Sequence, residues 1–289
     1  MRETERIQIR LLKQSDIPAA MSLKESAGWN QTEDDWRCLL HLEPAGCFAA
    51  WIDEELVGTT TTTTYGEQLA WVGMVLVLPA KRRLGIATEL LKVALDYLAG
   101  RAETVKLDAT PQGRFVYQHF GFEVESCIER WIGVGATGNQ RSSETVVRWT
   151  NLDDQRRELF TLDAEAFNAD RARLLDALLD KDLLGPMLSR SGACGLEGYA
   201  FARRGSRANY LGPMVMKNVE QTGTLLDSVL GGLVGQPVYL DLNLEFEAGF
   251  RVLANRGFAK QRDLIRMRRG KPTRKTSSSI VAIAGPEIG

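Results

Sequence analysis

Histidine and cysteine, the residues from which most zinc and disulfide sites are built, are scarce in this chain. Its 289 residues include two histidines, His41 and His119, and four scattered cysteines without a CxxC pair. A structural zinc site needs four such ligands at close spacing, and a disulfide framework is typical of small secreted chains. We therefore predict no metal site and expect free thiols in a reducing compartment.

A charge excess of either sign and a long apolar run are also missing. The formal net charge is -1, so the composition gives no reason to expect binding to nucleic acid or to anionic lipid. The first residues, MRETERIQIRLL, lack the apolar core of a signal peptide, and no run of about 18 apolar residues would span a membrane. The sequence therefore predicts a cytoplasmic protein without nucleic-acid or membrane partners, either a monomer or a homodimer.

Segments typical of strands and helices alternate along the chain. Apolar and β-branched runs predict strands over residues 7–12, 47–52, 56–64, 69–78, 105–109, 123–131 and 280–284. Amphipathic spacing and helix caps predict helices over residues 16–27, 32–40, 85–98 and 111–120. This order is typical of a mixed α/β fold.

Two distant segments share one pattern, which is strand, helix, Gly-Phe, strand. The first begins at Val105 (VKLDATPQGRFVYQHFGFEVESCIERW) and the second at Val238 (VYLDLNLEFEAGFRVLANRGFAKQRDLIRM). A stretch rich in glycine and serine lies between the two halves at residues 133–143. We predict two domains, residues 1–140 and 144–289, that are tandem copies of one fold. The alternative is two unrelated α/β domains with a chance similarity.

A basic loop follows the strongest strand and opens a helix. The loop reads KRRLGIAT over residues 81–88, and Arg82 and Arg83 stand just before Gly85. Free N–H groups and the positive dipole end at a helix N-terminus bind phosphate, and glycine lets the backbone approach closely. The loop is neither a Walker A sequence nor GxGxxG. By itself it predicts an anionic ligand, or else a basic helix start without one.

This loop resembles the pyrophosphate loop of the GNAT superfamily of N-acetyltransferases, [QR]xxGx[GA]. Arg82, Gly85 and Ala87 stand at its three defined positions. The resemblance covers about residues 5–150. The rest of the chain resembles a degenerate GNAT-like domain that follows the catalytic domain in some two-domain members.

A second family pattern, NxxAxxxYxxxGF, falls downstream in register with the loop. Tyr117 matches its tyrosine, and the Gly-Phe pair follows at residues 121–122. Thr110 and Gly113 replace the Asn and Ala of the pattern. Thr110 thus offers a hydroxyl to the cofactor where the family has an amide.

The resemblance implies a GNAT fold in tandem, a mixed and mostly antiparallel sheet flanked by helices. Acetyl-CoA would lie in an opening between strands 69–78 and 105–109. Its pantetheine amides would pair with the backbone of Val75, Leu76 and Val77. The remaining predicted cofactor contacts are the pyrophosphate loop Arg82, Arg83, Leu84, Gly85, Ile86, Ala87 and Thr88, together with Thr110.

The resemblance also implies catalytic residues. Tyr117 would protonate the departing CoA thiolate, because a phenol with a pKa of about 10 can supply a proton to a thiolate whose acid has a pKa of about 8.5. The alternative for Tyr117 is a packed helix tyrosine. Asp108 is the candidate base for the acceptor amine. However, Asp241 takes the same place in the second copy, where Leu253 replaces the tyrosine, so a structural role for Asp108 is the alternative.

The acceptor wall is predicted after the first helix. Trp29 and Trp36 would line the pocket, and the acidic residues 33–35 would attract a cation. The alternative is two core tryptophans and a capped helix turn. The second copy has no arginine pair at residues 217–223, so we predict no cofactor there. Its expected use is to close the acceptor site, to brace the fold or to form a dimer surface.

These observations predict an acyltransferase that moves acetyl from acetyl-CoA to a primary amine of a small molecule by direct transfer in a ternary complex. One alternative is a CoA-binding sensor or assembly protein without turnover. Another is an acetyltransferase acting on protein amines. An open acceptor groove would favour a protein acceptor, whereas a lidded pocket would favour a small metabolite.

Overall fold

The computed structural model of the chain describes residues 6–136, 145–150, 153–190, 195–273 and 277–289. The predicted domain limits at residues 140 and 144 lie outside the described residues, together with most of the predicted linker and Cys194. The described residues before this gap are called the first half, and those from 145 onward the second half. No helix in the described part of the chain combines the length and the apolar character that crossing a bilayer requires.

The first half contains six strands and four α-helices among its described residues. They are β1 (Gln8–Leu11), α1 (Ile17–Ser26), α2 (Glu33–Leu42), β2 (Phe48–Ile52), β3 (Glu55–Tyr65), β4 (Leu69–Val77), α3 (Ile86–Leu98), β5 (Thr104–Ala109), α4 (Arg114–Gln118) and β6 (Glu123–Val134). The predicted helix over residues 111–120 is shorter than expected. The hydroxyl of Thr110 accepts a hydrogen bond from the N–H of Gly113, and this turn delays the helix to Arg114.

The second half repeats the alternation of helices and strands in its described residues. They are β7 (Val146–Arg148), α5 (Asp153–Phe167), α6 (Ala172–Leu179), β8 (Met187–Arg190), β9 (Leu196–Arg203), β10 (Asn209–Met216), α7 (Thr222–Gly231), β11 (Pro237–Asn243), α8 (Gly249–Ala254), β12 (Ala259–Gly270) and β13 (Ile280–Ala282). A predicted strand at 280–284 is thus confirmed in a shorter form.

The strands of both halves form one sheet of thirteen strands within the described residues. The order is β1-β2-β3-β4-β5-β12-β6-β11-β13-β10-β9-β8-β7. All neighbours are antiparallel except β4 with β5 and β10 with β11. The prediction of a mixed, mostly antiparallel sheet flanked by helices is confirmed.

The two halves exchange one strand each. The second-half strand β12 lies between β5 and β6 of the first half, and β6 in turn lies between β12 and β11. Each exchange carries a buried ion pair. Arg266 of β12 binds Asp108 of β5, and Arg130 of β6 binds Asp241 of β11. The sequence patterns predict the strands but not this exchange, because strand pairing is decided by contacts far apart in the chain.

The two parallel pairs mark a splayed opening in each half. In the first half, β4 and β5 pair at only three positions, from Leu69 with Thr104 to Trp71 with Lys106, and then diverge. In the second half, β10 and β11 pair at two positions and then diverge around β13, which pairs with both of them. Among the described residues, no strand therefore enters the first opening, whereas β13 fills the second.

The hydrophobic core continues from one half into the other. Trp36 of α2 and Trp71 of β4 share one cluster with Leu159 of α5, Leu175 of α6 and Tyr199 of β9. Burial of such apolar surface is the main favourable contribution to folding. The shared cluster fixes how the second half sits against the first.

Candidate active site

A cleft of about 750 Å³ lies where β4 and β5 diverge. Ten of the eleven predicted cofactor residues line it, and these are Val75, Leu76, Val77, Arg82, Arg83, Gly85, Ile86, Ala87, Thr88 and Thr110. The exception is Leu84, whose side chain is 51% exposed outside the cleft. The loop turns at Leu84, and its side chain therefore points away from the cleft.

A β-bulge in β4 shapes the inner end of the cleft. β4 carries one residue more than β3 at this point, since both Met74 and Val75 lie opposite Thr60 of β3. Met74 takes a left-handed φ of 47°. A bulge bends a strand and disrupts its pairing locally. Beyond Trp71, the β5 side of β4 has no strand partner among the described residues, so the backbone at Val75 and Val77 is available to a ligand.

The outer end of the cleft is the N-terminus of α3. Gly85 precedes the helix with a φ of 82°, a conformation that strongly favours glycine. No side chain caps the first turn of α3, so its N–H donors are free for an anion. Arg82 and Arg83 are exposed at the same place and have no carboxylate partner among the described residues. These donors and charges fit a pyrophosphate.

A smaller inner cavity of about 40 Å³ adjoins the cleft and shares residues with it. The first half contributes Trp29, Gln31 and Tyr117 to its wall. The second half contributes a set that no sequence argument named, namely Arg262, Leu264, Pro286 and Glu287. The cavity is thus lined by residues of both halves.

Tyr117 is placed where both cavities meet. Its ring packs edge-on against Phe122, with 6.1 Å between ring centroids, and the phenol has no hydrogen-bond partner among the described residues. Burial raises the pKa of Tyr117 above its usual value of 10. The phenol is therefore protonated at neutral pH, which is the state a general acid requires.

Asp108 also borders both cavities, but its carboxylate is already engaged. Nε and Nη2 of Arg266 donate to its two oxygens at 2.8 Å each, and both side chains are buried. The second half repeats this pair with Arg130 and Asp241 at 2.7 and 2.6 Å. The pair recurs in the half where Leu253 replaces Tyr117, which matches the structural alternative for Asp108 better than the role of base.

The predicted acceptor wall needs a correction. Trp29 lines both cavities, but Trp36 is 0% exposed in the core and lines neither of them. Trp36 lies on the face of α2 that packs inward. The acidic turn does not face the cavity as a group either, because Glu33 and Asp34 both pair with Arg37 on the surface.

The structure adds an acid that the sequence reasoning did not identify. Glu287 is 4% exposed and lines the inner cavity beside Gln31, which is 8% exposed. The sequence feature that could have indicated this contact is Gly73, because a glycine inside an apolar strand such as β4 often marks the close approach of another segment. No group of three or more His, Cys, Asp or Glu residues in the described ranges is arranged to hold a metal ion.

Comparison with known proteins identifies both halves. A model of the acetyltransferase (GNAT) family matches residues 15–122, and a second model, an acetyltransferase (GNAT) domain, matches residues 159–282. A holothin acyltransferase from a Pseudoalteromonas strain is 25% identical over 265 residues, which are 90% of this chain and 87% of that protein.

Solved structures share the whole architecture. A candidate acetyltransferase from Pyrococcus horikoshii superposes with a TM-score of 0.84 at 22% identity, over 98% of this chain and 96% of its own. A tandem GNAT protein from the clavulanic acid biosynthesis pathway superposes with a TM-score of 0.65 at 17% identity, over 93% of this chain and 100% of its own. The chain therefore carries two GNAT domains in tandem and belongs to the GNAT superfamily of acyltransferases.

Proposed function

We propose that the first half transfers the acetyl group of acetyl-CoA directly to a primary amine of a small molecule, with both substrates bound at once. One observation carries this proposal. The cleft lined by ten predicted cofactor residues adjoins the smaller inner cavity, and Tyr117 lines both of them. A ligand held at the loop would thus be directed toward a protonated phenol.

The residues of the cleft have separable roles. The first turn of α3, with Arg82 and Arg83, binds the pyrophosphate, and the free edge of β4 at Val75 and Val77 aligns the pantetheine amides. When bound, the thioester supplies an activated acetyl group. Tyr117 gives its proton to the leaving thiolate. Holding both substrates in one geometry contributes further rate enhancement.

The small volume of the inner cavity, about 40 Å³ between the two halves, supports a small acceptor over a protein amine. Trp29 of the first half and Pro286 of the second both line it. A protein chain would need an open groove to present a lysine or its N-terminus. The Pseudoalteromonas relative is named for acyl transfer to holothin, so holothin belongs among the first compounds to test.

The test is a panel of amines incubated with acetyl-CoA, with free thiol measured as product. The panel contains holothin, benzylamine, spermidine, glucosamine and lysine amide. We expect turnover of at least one amine and a product heavier by one acetyl group. CoA binding without turnover of any amine would favour the sensor alternative. Acetylation of added protein in preference to every amine would favour the protein acceptor.

A matched pair of variants tests the placement of the cofactor. Gly85→Glu puts an acid at the N-terminus of α3, and Gly100→Glu makes the same change just past its C-terminus. Both glycines have a positive φ, and a Cβ at either position meets open space. We expect Gly85→Glu to lose CoA binding and Gly100→Glu to keep it, with cooperative unfolding in both. Equal CoA titrations would contradict the placement.

A further inference from the structure

A segment of the second half reaches over β4 of the first half. Residues 283–289 follow β13 and are held by three side chains of the core. Trp71 donates to the carbonyl of Pro286 at 2.9 Å, Tyr65 to that of Ile288 at 2.5 Å, and Arg171 to the Gly289 oxygen at 2.7 Å. The segment is thus fixed in place at the inner cavity.

Gly73 is the contact point on β4. A Cβ built there would lie 2.4 Å from the carbonyl oxygen of Glu287 and 2.8 Å from its Cα, closer than real Cβ contacts come. Only glycine therefore lets the backbone of Glu287 lie against β4, next to the bulge at Met74. No acid occurs on β4 itself from Trp71 to Met74. Glu287 supplies a carboxylate at this position from another part of the chain.

Gln31 completes a pair of acceptors in the cavity. Its Nε2 donates to Oε2 of Glu287 at 2.8 Å, which orients the amide. Its Oε1 is buried and has no partner among the described residues. A buried acceptor without a donor is costly, so a ligand N–H is the expected partner. A carboxylate and an amide oxygen side by side suit a protonated primary amine.

Arg203 and Arg130, which lie on the far side of Glu287, have partners of their own. Arg203 is 3.4 Å from Glu287 and 3.6 Å from Asp35, and it also donates to the Gly212 carbonyl at 2.9 Å. The small polar cavity beneath, which Glu287 also lines, is bordered further by Arg130, Arg204 and Tyr210. Arg130 and Tyr210 both bond to the carboxylate of Asp241.

Three ionisable groups face Glu287 across the inner cavity. They are Asp108, Tyr117 and Arg262. Asp108 is neutralised by its own arginine, and Tyr117 is uncharged at neutral pH. Burial raises the pKa of Glu287, and Arg203 opposes that rise. Its carboxylate is therefore a stronger base than an exposed glutamate.

We propose that Glu287 is the general base of the acetyl transfer and that, with the Oε1 of Gln31, it forms the subsite for the acceptor amine. This proposal rests on the proposed function. It gives the second half a direct part in catalysis, because the catalytic acid Tyr117 comes from one half and the base from the other.

The proton balance of the step is complete. The ammonium of the acceptor gives one proton to Glu287, and the freed lone pair forms a C–N bond to the acetyl carbon while the C–S bond breaks. The sulfur takes the proton of Tyr117. The second proton of the attacking nitrogen returns to Tyr117 through water, and Glu287 releases its proton to solvent. The products are an amide, free thiol and one proton.

The test compares Glu287→Gln with the wild type across pH, using the panel amine that the wild type acetylates fastest. Glu247→Gln is the matched control, since Glu247 is exposed and lines none of the cavities described here. We expect kcat at pH 7 to fall about 100-fold in Glu287→Gln, as for loss of a general base, with an unchanged CoA titration.

The pH profile separates a base from a merely structural carboxylate. Because the pKa of Glu287 is raised above 4.5, wild-type kcat falls as pH drops through that raised value. In Glu287→Gln this limb disappears, and kcat climbs with pH as the unprotonated fraction of the acceptor amine grows. Glu287→Asp keeps the limb at a reduced rate.

The outcomes distinguish the two proposals. A wild type that binds CoA and acetylates no panel amine would overturn the proposed function and this inference with it. If the wild type is active and Glu287→Gln has the same kcat and the same pH profile, the inference is overturned and the proposed function stands. If Glu287→Gln does not fold, Glu287→Asp decides, because a base moved by one methylene must lower kcat and a spectator must not.

Discussion

The two halves share one fold, yet each treats its splayed opening differently. In the first half, the divergence of β4 and β5 leaves a cleft of about 750 Å³. In the second half, β13 enters the matching gap and pairs with both β10 and β11. In this gap β13 supplies hydrogen-bond partners to the backbone groups at the edges of β10 and β11. In the first half, the corresponding backbone groups remain available to a cofactor. One copy thus keeps an open cleft, and the other closes the corresponding gap with its own strand.

The residues that recur in both halves hold the sheet together, whereas the residues found in one half line its cleft. The buried ion pairs of Asp108 and Asp241 recur, and each joins a strand of one half to a strand of the other. The basic loop and Tyr117 occur only in the first half, and the position of Tyr117 holds Leu253, a buried core residue, in the second. Recurrence therefore marks structural residues, and asymmetry marks candidate chemistry.

The largest expected effect concerns the recurrent ion pairs. Asp108→Ala and Asp241→Ala each leave a buried guanidinium without its partner, so each should lower the free energy of unfolding by about 3–5 kcal/mol. Denaturant unfolding measures the loss. Asp34→Ala, which breaks a pair with Arg37 on the surface, is the control and should leave the free energy of unfolding nearly unchanged, because water screens an exposed pair. A stable but inactive Asp108→Ala would instead make Asp108 catalytic.

The next effect concerns the asymmetric tyrosine. Tyr117→Phe should lower turnover about 10- to 100-fold, equal to about 1.4–2.7 kcal/mol in activation free energy, and leave CoA affinity unchanged. Tyr97→Phe is the control, because the Tyr97 hydroxyl donates to Glu43 outside both active-site cavities. Full activity in Tyr117→Phe would remove this residue from the mechanism and leave the two halves less different than we argue.

The smallest effect concerns the loop charge. Arg82→Ala should weaken CoA binding by about 1 kcal/mol, because Arg82 is exposed and water screens its attraction to phosphate. The loss should shrink at high salt. Lys217→Ala, in the corresponding part of the second half, should not change CoA titrations. A salt-independent loss, or equal losses in the two variants, would contradict the assignment of the loop.

Local signals predicted most of the first half, and contacts between distant segments decided the rest. The helix start at Gly85, the strands β4 and β5 and the position of Tyr117 follow from short patterns, and the structure places all of them at one cleft. The exchange of β6 and β12 has no local signal, since either strand satisfies the same apolar pattern. Trp36 was misplaced for a similar reason, because its spacing with Leu39 and Leu40 marks the buried face of α2 without showing whether that face meets the core or a pocket.

The Glu287 segment shows the limit most clearly. Residues 283–289 read IAGPEIG, too short and irregular to indicate a partner, and the position of Glu287 depends on Gly73, more than two hundred residues earlier. A glycine inside an apolar strand, such as Gly73, signals at most that another segment approaches β4 closely. It could not show which segment approaches or that an acid accompanies it.

The most direct test of the account is calorimetric titration of the whole chain with CoA. The open first cleft and the filled second one predict one equivalent bound per chain, with the heat of binding lost in Gly85→Glu and kept in Gly100→Glu. Two equivalents per chain, or one equivalent that persists in Gly85→Glu, would contradict the claim that the halves divide into a binding copy and a bracing copy.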